Sequence, residues 1–545
     1  MKKTKLLTLS LLPILCGCSL TSNYSFESHA NNNRSMSLQS GKFKNYKLEN
    51  FKDIEAKKNA IKNVVTSKGS VSDFILRLND LSSDAIDIVK CYVIATTKYY
   101  ANCDADYQAK ADVYYDQYIG ITKFINELEE DIYHSSNSIK KSYFGNLSDE
   151  AIEKKLQENQ NSIIEADYDK VFNDYKDEGS ELYLKFRQDG DVDYYLDTGY
   201  DYFLRYINKA NELIEQIPYD DYLDYSYKND YSRDYNKQNA LEFVNYVKQY
   251  FIPLYKNKKA LTKPNNVNTR LLDYIANYNF CNVNTNLYKE FTSYAEEMGS
   301  SYLSAYNAAF KNGYYCFSDS PNSMATAFQW GLPGENDAVL YFSSGYQDVL
   351  SVIHEFGHYF SCVQNGGIRK NDSYDLQETY SQGNEFTFCK YLLEVKKEDL
   401  DLDTYKYYVD DKIYSSLGQI INEAVITEIE NFAYSTPNLT KESLINGVNA
   451  ILATYDGTAS ETYFMAACLS SPCYYVSYAT SLMEALQFAS MSSFKEARDH
   501  YITLVEANGL SNAVARWENA GLKSPFGEEC FTTLVNLFTS VGSKY

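Results

Sequence analysis

The chain has 545 residues, of which 44% are hydrophobic and 23% charged, the balance of an ordinary globular protein. Its formal net charge of −22 argues against nucleic acid and anionic lipid surfaces as partners, because both are themselves negatively charged. Tyrosine is frequent, at 54 residues, and we interpret this excess as structural because tyrosine rings are amphipathic packing groups.

Residues 1–18 have the pattern of an export signal with a lipobox. The basic start MKKTK precedes the apolar run LLTLSLLPIL, which is too short to span a bilayer comfortably. The following Leu15-Cys16-Gly17-Cys18 resembles a bacterial lipoprotein lipobox, in which Cys18 would be lipidated. The alternative is an ordinary secretory signal with incidental cysteines. We expect an exported protein, and with the lipobox one that is lipid-anchored to the cell membrane and faces outside.

Residues 19–45 are polar, rich in serine and asparagine, and without periodicity, which predicts a flexible spacer. Nine further cysteines, from Cys91 to Cys530, are scattered without CxxC pairs. This spacing indicates neither a disulfide framework nor a zinc–thiolate site, although one or two disulfides remain possible.

From about residue 50 the hydrophobic pattern is helical for most of the chain. One face is traced by Ile121, Ile125, Leu128 and Ile132, together with Phe124. A later helical stretch, 234–258, contains Pro253, which we expect to break or kink the helix.

The region 314–343 has a different pattern. Three short apolar segments, YYCFS, ATAFQW and AVLYFSS, are separated by SDSPNS and by GLPGEND, which contain turn-forming residues. We predict a small β-sheet here, immediately before the stretch SVIHEFGHYFSC.

That stretch contains His354-Glu355-Phe356-Gly357-His358, on a helix that we expect to start with a capping box of Ser344 and Gln347 and to end at Gly366-Gly367. Because His354 and His358 are one turn apart, both imidazoles face the same side. This spacing suits two ligands of one tetrahedral zinc ion, with Glu355 placed to act on water.

A third ligand is expected from the next helix, predicted at about 374–395. Nineteen residues separate His358 from Glu378, a spacing found in glutamate-ligated zinc peptidases. Glu385 lies two turns further on the same face, where it could hydrogen-bond a ligand histidine. Chance occurrence of the pattern on an amphipathic helix is the alternative, and the helical context and Glu378 argue against it.

Four blocks in order resemble the oligoendopeptidase F branch of the thimet oligopeptidase family. They are AFQWGLPGENDAVLYFSSGYQDVLSVIHEFGHYFS, Glu378-Thr379-Tyr380-Ser381-Gln382 with Glu385, SPCYYVSY at 471–478, and AGLKSPF at 520–526. Weaker similarity extends the resemblance to roughly 190–530.

The resemblance implies a mainly α fold, in which two helical halves flank a deep substrate channel and a small β-sheet lies next to the HExxH helix. We assign 46–250 to an N-terminal helical region and 251–545 to a zinc metallopeptidase catalytic region. The implied activity is endopeptidase cleavage of short unstructured peptides, which could add as a strand to the edge of the sheet.

The expected mechanism is metal-assisted hydrolysis with one Zn²⁺ per chain. His354, His358 and Glu378 would bind the ion, and Glu355 would be the general base. A tyrosine from the third block, Tyr474, Tyr475 or Tyr478, would stabilise the oxyanion, and core packing is the alternative role for each.

One position departs from the family pattern. The family commonly has a histidine five residues before the proline of the third block, where this chain has Ala467. If this residue lies at the start of the tyrosine-bearing helix and faces the channel, Ala467→His should raise kcat/KM. A competing view is that the pocket has been rebuilt around alanine.

Two other functions stay open at this point. One is a non-catalytic or weakly catalytic peptide-binding lipoprotein, which the absent histidine favours and the intact Glu355 opposes. The other is a zinc-dependent peptidase that trims peptide ends.

Overall fold

The computed structural model describes residues 46–544, with gaps at 258–260, 273–285, 334–336, 365–371, 397–400 and 508–511 and at the single positions 313, 319, 321, 325, 344 and 456. The predicted signal at 1–18, including Cys18, and the predicted spacer at 19–45 lie outside the described residues.

The described chain is mainly helical, which confirms the predicted fold class. Up to Asn307 the helices are α1 Ile54–Thr66, α2 Val71–Asn102, α3 Ala105–Tyr133, α4 Asn137–Phe144, α5 Asp149–Asp189, α6 Val192–Ile214, α7 Tyr222–Asn229, α8 Lys237–Tyr246, α9 Ile252–Lys256, α10 Asn286–Glu297 and α11 Ser300–Asn307. From Val349 onward they are α12 Val349–Gln364, α13 Tyr374–Glu394, α14 Leu402–Ser435, α15 Lys441–Thr454, α16 Glu461–Ser470, α17 Tyr475–Ser490, α18 Phe494–Glu506, α19 Ala513–Asn519 and α20 Glu528–Gly542.

Sequence periodicity predicted the buried face of α3, on which Phe124 is half-buried. On α3 the side chains of Ile121, Ile125, Leu128 and Ile132 are buried, as the pattern indicated. The predicted break near Pro253 is a local one: a π-helical turn at Val247–Phe251 joins α8 to the short α9. α8, the π-helical turn and α9 follow one another without a gap, so Pro253 lies inside a continuous helix, and the π-helical turn directly before it accommodates its missing N–H.

The three predicted strands are present as β1 Tyr315–Ser318, β2 Ala327–Leu332 and β3 Asp337–Ser343. Their order is β1-β3-β2; β1 pairs parallel to β3, and β2 pairs antiparallel to it. Both β1 and β2 are therefore edge strands of this sheet.

The sheet lies between two hydrophobic clusters. Because successive side chains of a strand point to opposite faces, each strand contributes to both clusters. On β3, Val339 and Tyr341 belong to the cluster formed with buried side chains of 54–152. Leu340 and Phe342 face the other way, into the main cluster that includes α12. α12 packs across β2 and β3, and the Tyr359 hydroxyl donates a 2.8 Å hydrogen bond to Asp337 at the start of β3.

The start of α12 differs from the predicted capping box. Ser344 lies outside the described residues, and the helix begins at Val349, after Asp348. The Asp348 carboxylate accepts hydrogen bonds from the backbone N–H groups of Leu350 (3.0 Å) and Ser351 (3.1 Å). Gln347 instead donates to the Ser318 carbonyl, 3.0 Å away. An aspartate next to the first turn caps the helix better than a serine four residues away could.

None of the eight cysteines among the described residues forms a disulfide with another of them. In the same part of the chain, no helix is both long and apolar enough to cross a membrane.

Candidate metal centre

Two helices, α12 and α13, carry the predicted ligands and pack closely against each other. Their approach depends on Gly357, where a Cβ atom would lie 2.5 Å from the Tyr380 carbonyl oxygen and 2.7 Å from the Ser381 Cα. Asn384 of α13 also donates a 2.7 Å hydrogen bond to the Ile353 carbonyl of α12. The glycine of the HEFGH stretch therefore lets the second ligand helix lie directly beside the first.

α13 is unusual because it is buried on every side and yet rich in polar residues. Its buried positions include Asp375, Gln377, Glu378, Asn384 and Glu385. A helix buried all round is ordinarily hydrophobic, since buried polar groups cost free energy unless they are paired. The polar character of α13 therefore points to a site rather than to core packing.

The structure brings together the three predicted metal ligands. His354, His358 and Glu378 are all buried, and one ligand atom from each lies within 4.8 Å of the others. The Glu378 Oε2 atom is 3.6 Å from His354 Nε2 and 3.9 Å from His358 Nε2. Two nitrogens and one carboxylate oxygen converge on one point, as three protein ligands of a metal ion would.

Glu385 has the supporting position expected from the sequence. Its Oε1 atom lies 2.7 Å from His354 Nδ1, and its Oε2 atom is 2.6 Å from Lys412 Nζ. Burial alone would raise the pKa of Glu385, but the charge of Lys412 and the hydrogen bond with His354 lower it below its usual value. The carboxylate is therefore held ionised beside the ring.

This pairing also acts on His354. Burial opposes protonation of the ring, but the hydrogen bond and charge of Glu385 outweigh burial and raise the pKa of His354 to about 9. A carboxylate on Nδ1 fixes the orientation of the ring and makes Nε2 a stronger donor to a metal. Lys412 was missed by sequence reasoning; it lies on α14, and no local pattern connects it to the HEFGH stretch.

The residues fit a metal ion. His354 Nε2 is buried and has no hydrogen-bond partner among the described residues, although Nδ1 of the same ring is paired. Such an atom would be costly to bury unless it served as a ligand. With the neighbouring imidazole and carboxylate, this group indicates a metal ion.

Glu355 is fully buried and close enough to His354 for their charges to interact. It belongs to the same helix turn as the two histidines but not to the group of three ligand atoms. This position suits a carboxylate that handles a proton beside the metal rather than one that binds the ion.

The three candidate tyrosines lie together beside the site. Tyr474 donates a 2.8 Å hydrogen bond to Glu378 Oε1. The ring centre of Tyr478 lies 5.0 Å from that of Tyr474, and that of Tyr475 lies 5.8 Å from it. Tyr475 also packs against Tyr463. The structure thus places Tyr474 on a predicted ligand, and the other two rings next to Tyr474.

The prediction that Ala467 lies at the start of the tyrosine-bearing helix is wrong. Ala467 belongs to α16, which ends at Ser470, and the tyrosine-bearing helix α17 begins only at Tyr475. Pro472 and the positive φ of 62° at Cys473 separate the two helices. Ala467 is 2% exposed and belongs to the main hydrophobic cluster.

Comparison with solved structures identifies the fold. A protein assigned as oligoendopeptidase F from Bacillus anthracis str. Ames superposes with a TM-score of 0.63 at 14% identity, over 93% of this chain and 98% of that chain. PZ peptidase A, solved with an inhibitor, gives a TM-score of 0.64 at 14% identity, over 92% of this chain and 99% of that chain. Oligoendopeptidase-F from Enterococcus faecium gives 0.53 at 14% identity, over 90% and 96%.

No protein-family model and no curated protein matches the sequence. At 14% identity the structural likeness concerns the fold, and function has to be argued from the site. The chain therefore has the fold of oligoendopeptidase F and related metallopeptidases.

Proposed function

We propose that the protein is a zinc-dependent endopeptidase that hydrolyses short oligopeptides. The observation that carries this proposal is the buried group of His354, His358 and Glu378 with Glu355 beside it. The likeness to oligoendopeptidase F and PZ peptidase A supports the same reaction class by analogy of fold.

Zinc is the proposed ion because of the donor set. Two imidazoles and one carboxylate are typical of catalytic zinc sites, which keep a further position open for water or substrate. Magnesium and calcium prefer all-oxygen ligands. A thiol ligand would favour copper, and none of the three ligands is a thiol. We propose one zinc ion per chain.

Bound zinc would supply a Lewis acid that polarises the scissile carbonyl and activates water near neutral pH. Glu355 would accept the proton of the attacking water and return it to the leaving amine. Glu385 would hold the His354 ring in place through Nδ1. A hydroxyl from the Tyr474, Tyr475 and Tyr478 group would donate to the developing oxyanion.

Short, unstructured peptides are the proposed substrates. The ligand residues are buried, so a folded protein could not bring a peptide bond to them without unfolding locally. β2 is an edge strand of the sheet against which α12 packs, and an extended peptide could pair with it through its backbone.

The proposal is tested with an internally quenched oligopeptide blocked at both ends, with products identified by mass spectrometry. We expect internal cleavage that a chelator abolishes and added zinc restores. If the blocked peptide is not cleaved and an unblocked peptide loses its terminal residues, the end-trimming alternative is favoured. Saturable binding without cleavage would favour the peptide-binding alternative.

The structure changes the expectation for Ala467. Because this side chain is buried in the core, Ala467→His must displace neighbouring groups, and we expect it to lower the free energy of unfolding by about 1–3 kcal/mol without raising kcat/KM. Denaturant unfolding and peptide kinetics, with zinc content held equal, measure both effects. Ala466→His is the matched control, because Ala466 is the partly exposed neighbour on the same helix. A higher kcat/KM for Ala467→His would restore the view that a catalytic aid has been lost.

We further propose that the enzyme is exported and tethered by a lipid on Cys18. The support is the basic start, the short apolar run and the Gly17-Cys18 sequence. Wild-type protein expressed in a bacterial host should incorporate labelled fatty acid and sediment with membranes, and Cys18→Ala should lose the label. Equal behaviour of both proteins would favour the ordinary secretory signal.

A further inference from the structure

We propose that Arg233 is a positioning residue of the metal centre: it fixes the turn between α16 and α17 so that the Tyr474 hydroxyl reaches Glu378. This inference rests on the proposed metal-binding function. Arg233 lies more than 120 positions before the HEFGH stretch and outside all four sequence blocks.

Arg233 is a buried cation. Its side chain is enclosed, with the guanidinium carbon 4.4 Å from the ring centre of Tyr227 and 4.3 Å from that of Tyr231. Burying a charge is costly unless the charge is well paired, so its partners show where it acts.

Those partners lie on the turn that precedes α17 and in the first turn of α17. Arg233 Nη2 donates to the carbonyl oxygens of Cys473 (2.8 Å) and Tyr474 (3.3 Å) and to Ser477 Oγ (2.8 Å). The Nε atom donates to the same Ser477 hydroxyl at 3.2 Å. One guanidinium thus holds the backbone on both sides of the Tyr474 α-carbon and the first turn of the helix that follows.

Two further groups hold the turn. The backbone N–H of Cys473 donates a 2.6 Å hydrogen bond to Glu430, and Tyr231 donates one of 2.6 Å to the Pro472 carbonyl. Cys473 itself has φ 62°, a left-handed conformation uncommon for a residue with a side chain. Such a conformation persists when the surroundings impose it, and it is found preferentially at functional sites.

Arg233 is also connected to the helix that carries Glu378. Its Nε atom lies 3.5 Å from Asp375 Oδ2, one turn before Glu378 on α13. Ser477 links the two groups, because its hydroxyl donates to Asp375 Oδ2 at 3.0 Å. The same cation therefore sets the positions of both helices that meet at the Tyr474–Glu378 hydrogen bond.

This bond has a consequence for the metal. Tyr474 occupies Oε1 of Glu378, and Oε2 is the atom that lies near the two imidazoles. The arrangement assigns Oε1 to the tyrosine and leaves Oε2, which also accepts a 3.3 Å hydrogen bond from the Ser381 hydroxyl, as the ligand atom. Without the tyrosine in place, Glu378 could rotate and present either oxygen, which would weaken a preorganised site.

The test is a double-mutant cycle on zinc affinity, measured by competition with a chromogenic chelator. Tyr474→Phe and Arg233→Gln should each weaken zinc binding by about tenfold, within the range seen for groups that support ligands. The double variant should be no weaker than the weaker single variant, because both changes remove the same contact. Arg205→Gln is the matched control: Arg205 also pairs with a carboxylate, Glu178, and lies over tyrosine rings, but at an exposed position. It should bind zinc as the wild type does.

Ser477→Ala provides a second variant in case Arg233→Gln does not fold. It removes the hydroxyl between Arg233 and Asp375 and should weaken zinc binding about threefold in the wild-type chain and not at all when combined with Tyr474→Phe. Zinc affinity within twofold of wild type for Arg233→Gln, or for Ser477→Ala where the arginine variant is unfolded, would overturn the inference. Losses that multiply in the double variant would also overturn it. A wild-type protein that binds no zinc would overturn both the proposed function and this inference. A wild type that binds zinc, with variants that bind it equally well, would overturn this inference alone.

Discussion

Replacing Glu355 with glutamine should abolish peptide hydrolysis while zinc remains bound. The amide has nearly the same shape as the carboxylate and can be accommodated at this fully buried position, but it cannot accept a proton from water. We expect kcat to fall by about 10²–10⁴-fold, the usual contribution of a general base. Quenched-peptide kinetics measure this loss, and metal analysis of the same preparation measures the zinc content.

Two controls make this result specific. Glu442→Gln changes an exposed glutamate on α15 and should leave kcat unchanged. Binding of a labelled peptide to Glu355→Gln should remain close to the wild-type affinity, because the substitution removes a proton acceptor and no ligand of the metal. Residual turnover within about tenfold of wild type would mean that another group takes the proton.

Replacing Glu378 with alanine should remove most of the bound zinc. The substitution deletes one of the three convergent ligands and leaves the two imidazoles facing a cavity, so we expect zinc content well below one per chain after dialysis. Thermal unfolding gives a second measurement. A chelator should lower the Tm of the wild type, because metal binding stabilises the native state, and should leave the Tm of Glu378→Ala unchanged.

Glu378→Gln is the matched variant for this experiment. Its amide oxygen can take the place of Oε2 at the metal, but the NH2 group then faces Tyr474 and cannot accept the hydrogen bond that Oε1 accepts, so zinc affinity should lie between those of the wild type and Glu378→Ala. Full zinc occupancy in Glu378→Ala would remove this residue from the ligand set.

Local patterns accounted for much of the fold. The three short apolar segments around 314–343 became the three strands, and the second ligand helix, expected at about 374–395, is observed at Tyr374–Glu394. These elements were predictable because their signals lie within a few residues: alternation of hydrophobic side chains, turn formers and helical spacing. The meeting of His354 and Glu378 also followed from a fixed spacing on two adjacent helices.

Contacts between distant segments could not be predicted in this way. Lys412 completes the Glu385–His354 arrangement from α14, and Arg233 reaches the Tyr474 turn from 240 positions earlier in the chain. The sequence around each of these two residues does not distinguish it from the lysines and arginines that lie on the protein surface. A charged residue in a neighbourhood of tyrosines was the one available signal for Arg233, and in a chain with 54 tyrosines that signal is weak.

The position of the small sheet has a consequence for any attempt to isolate the predicted catalytic region, 251–545. A fragment that began at residue 251 would keep all three predicted zinc ligands and all three strands but would lose 54–152, which cover one face of the sheet. Phe328 and Trp330 on the edge strand β2 and Tyr341 on the central strand β3 would then be exposed to water, and such a surface invites aggregation. The helices within 54–152 thus cover one of the two faces of the sheet, and shortened versions for expression or crystallisation should retain them.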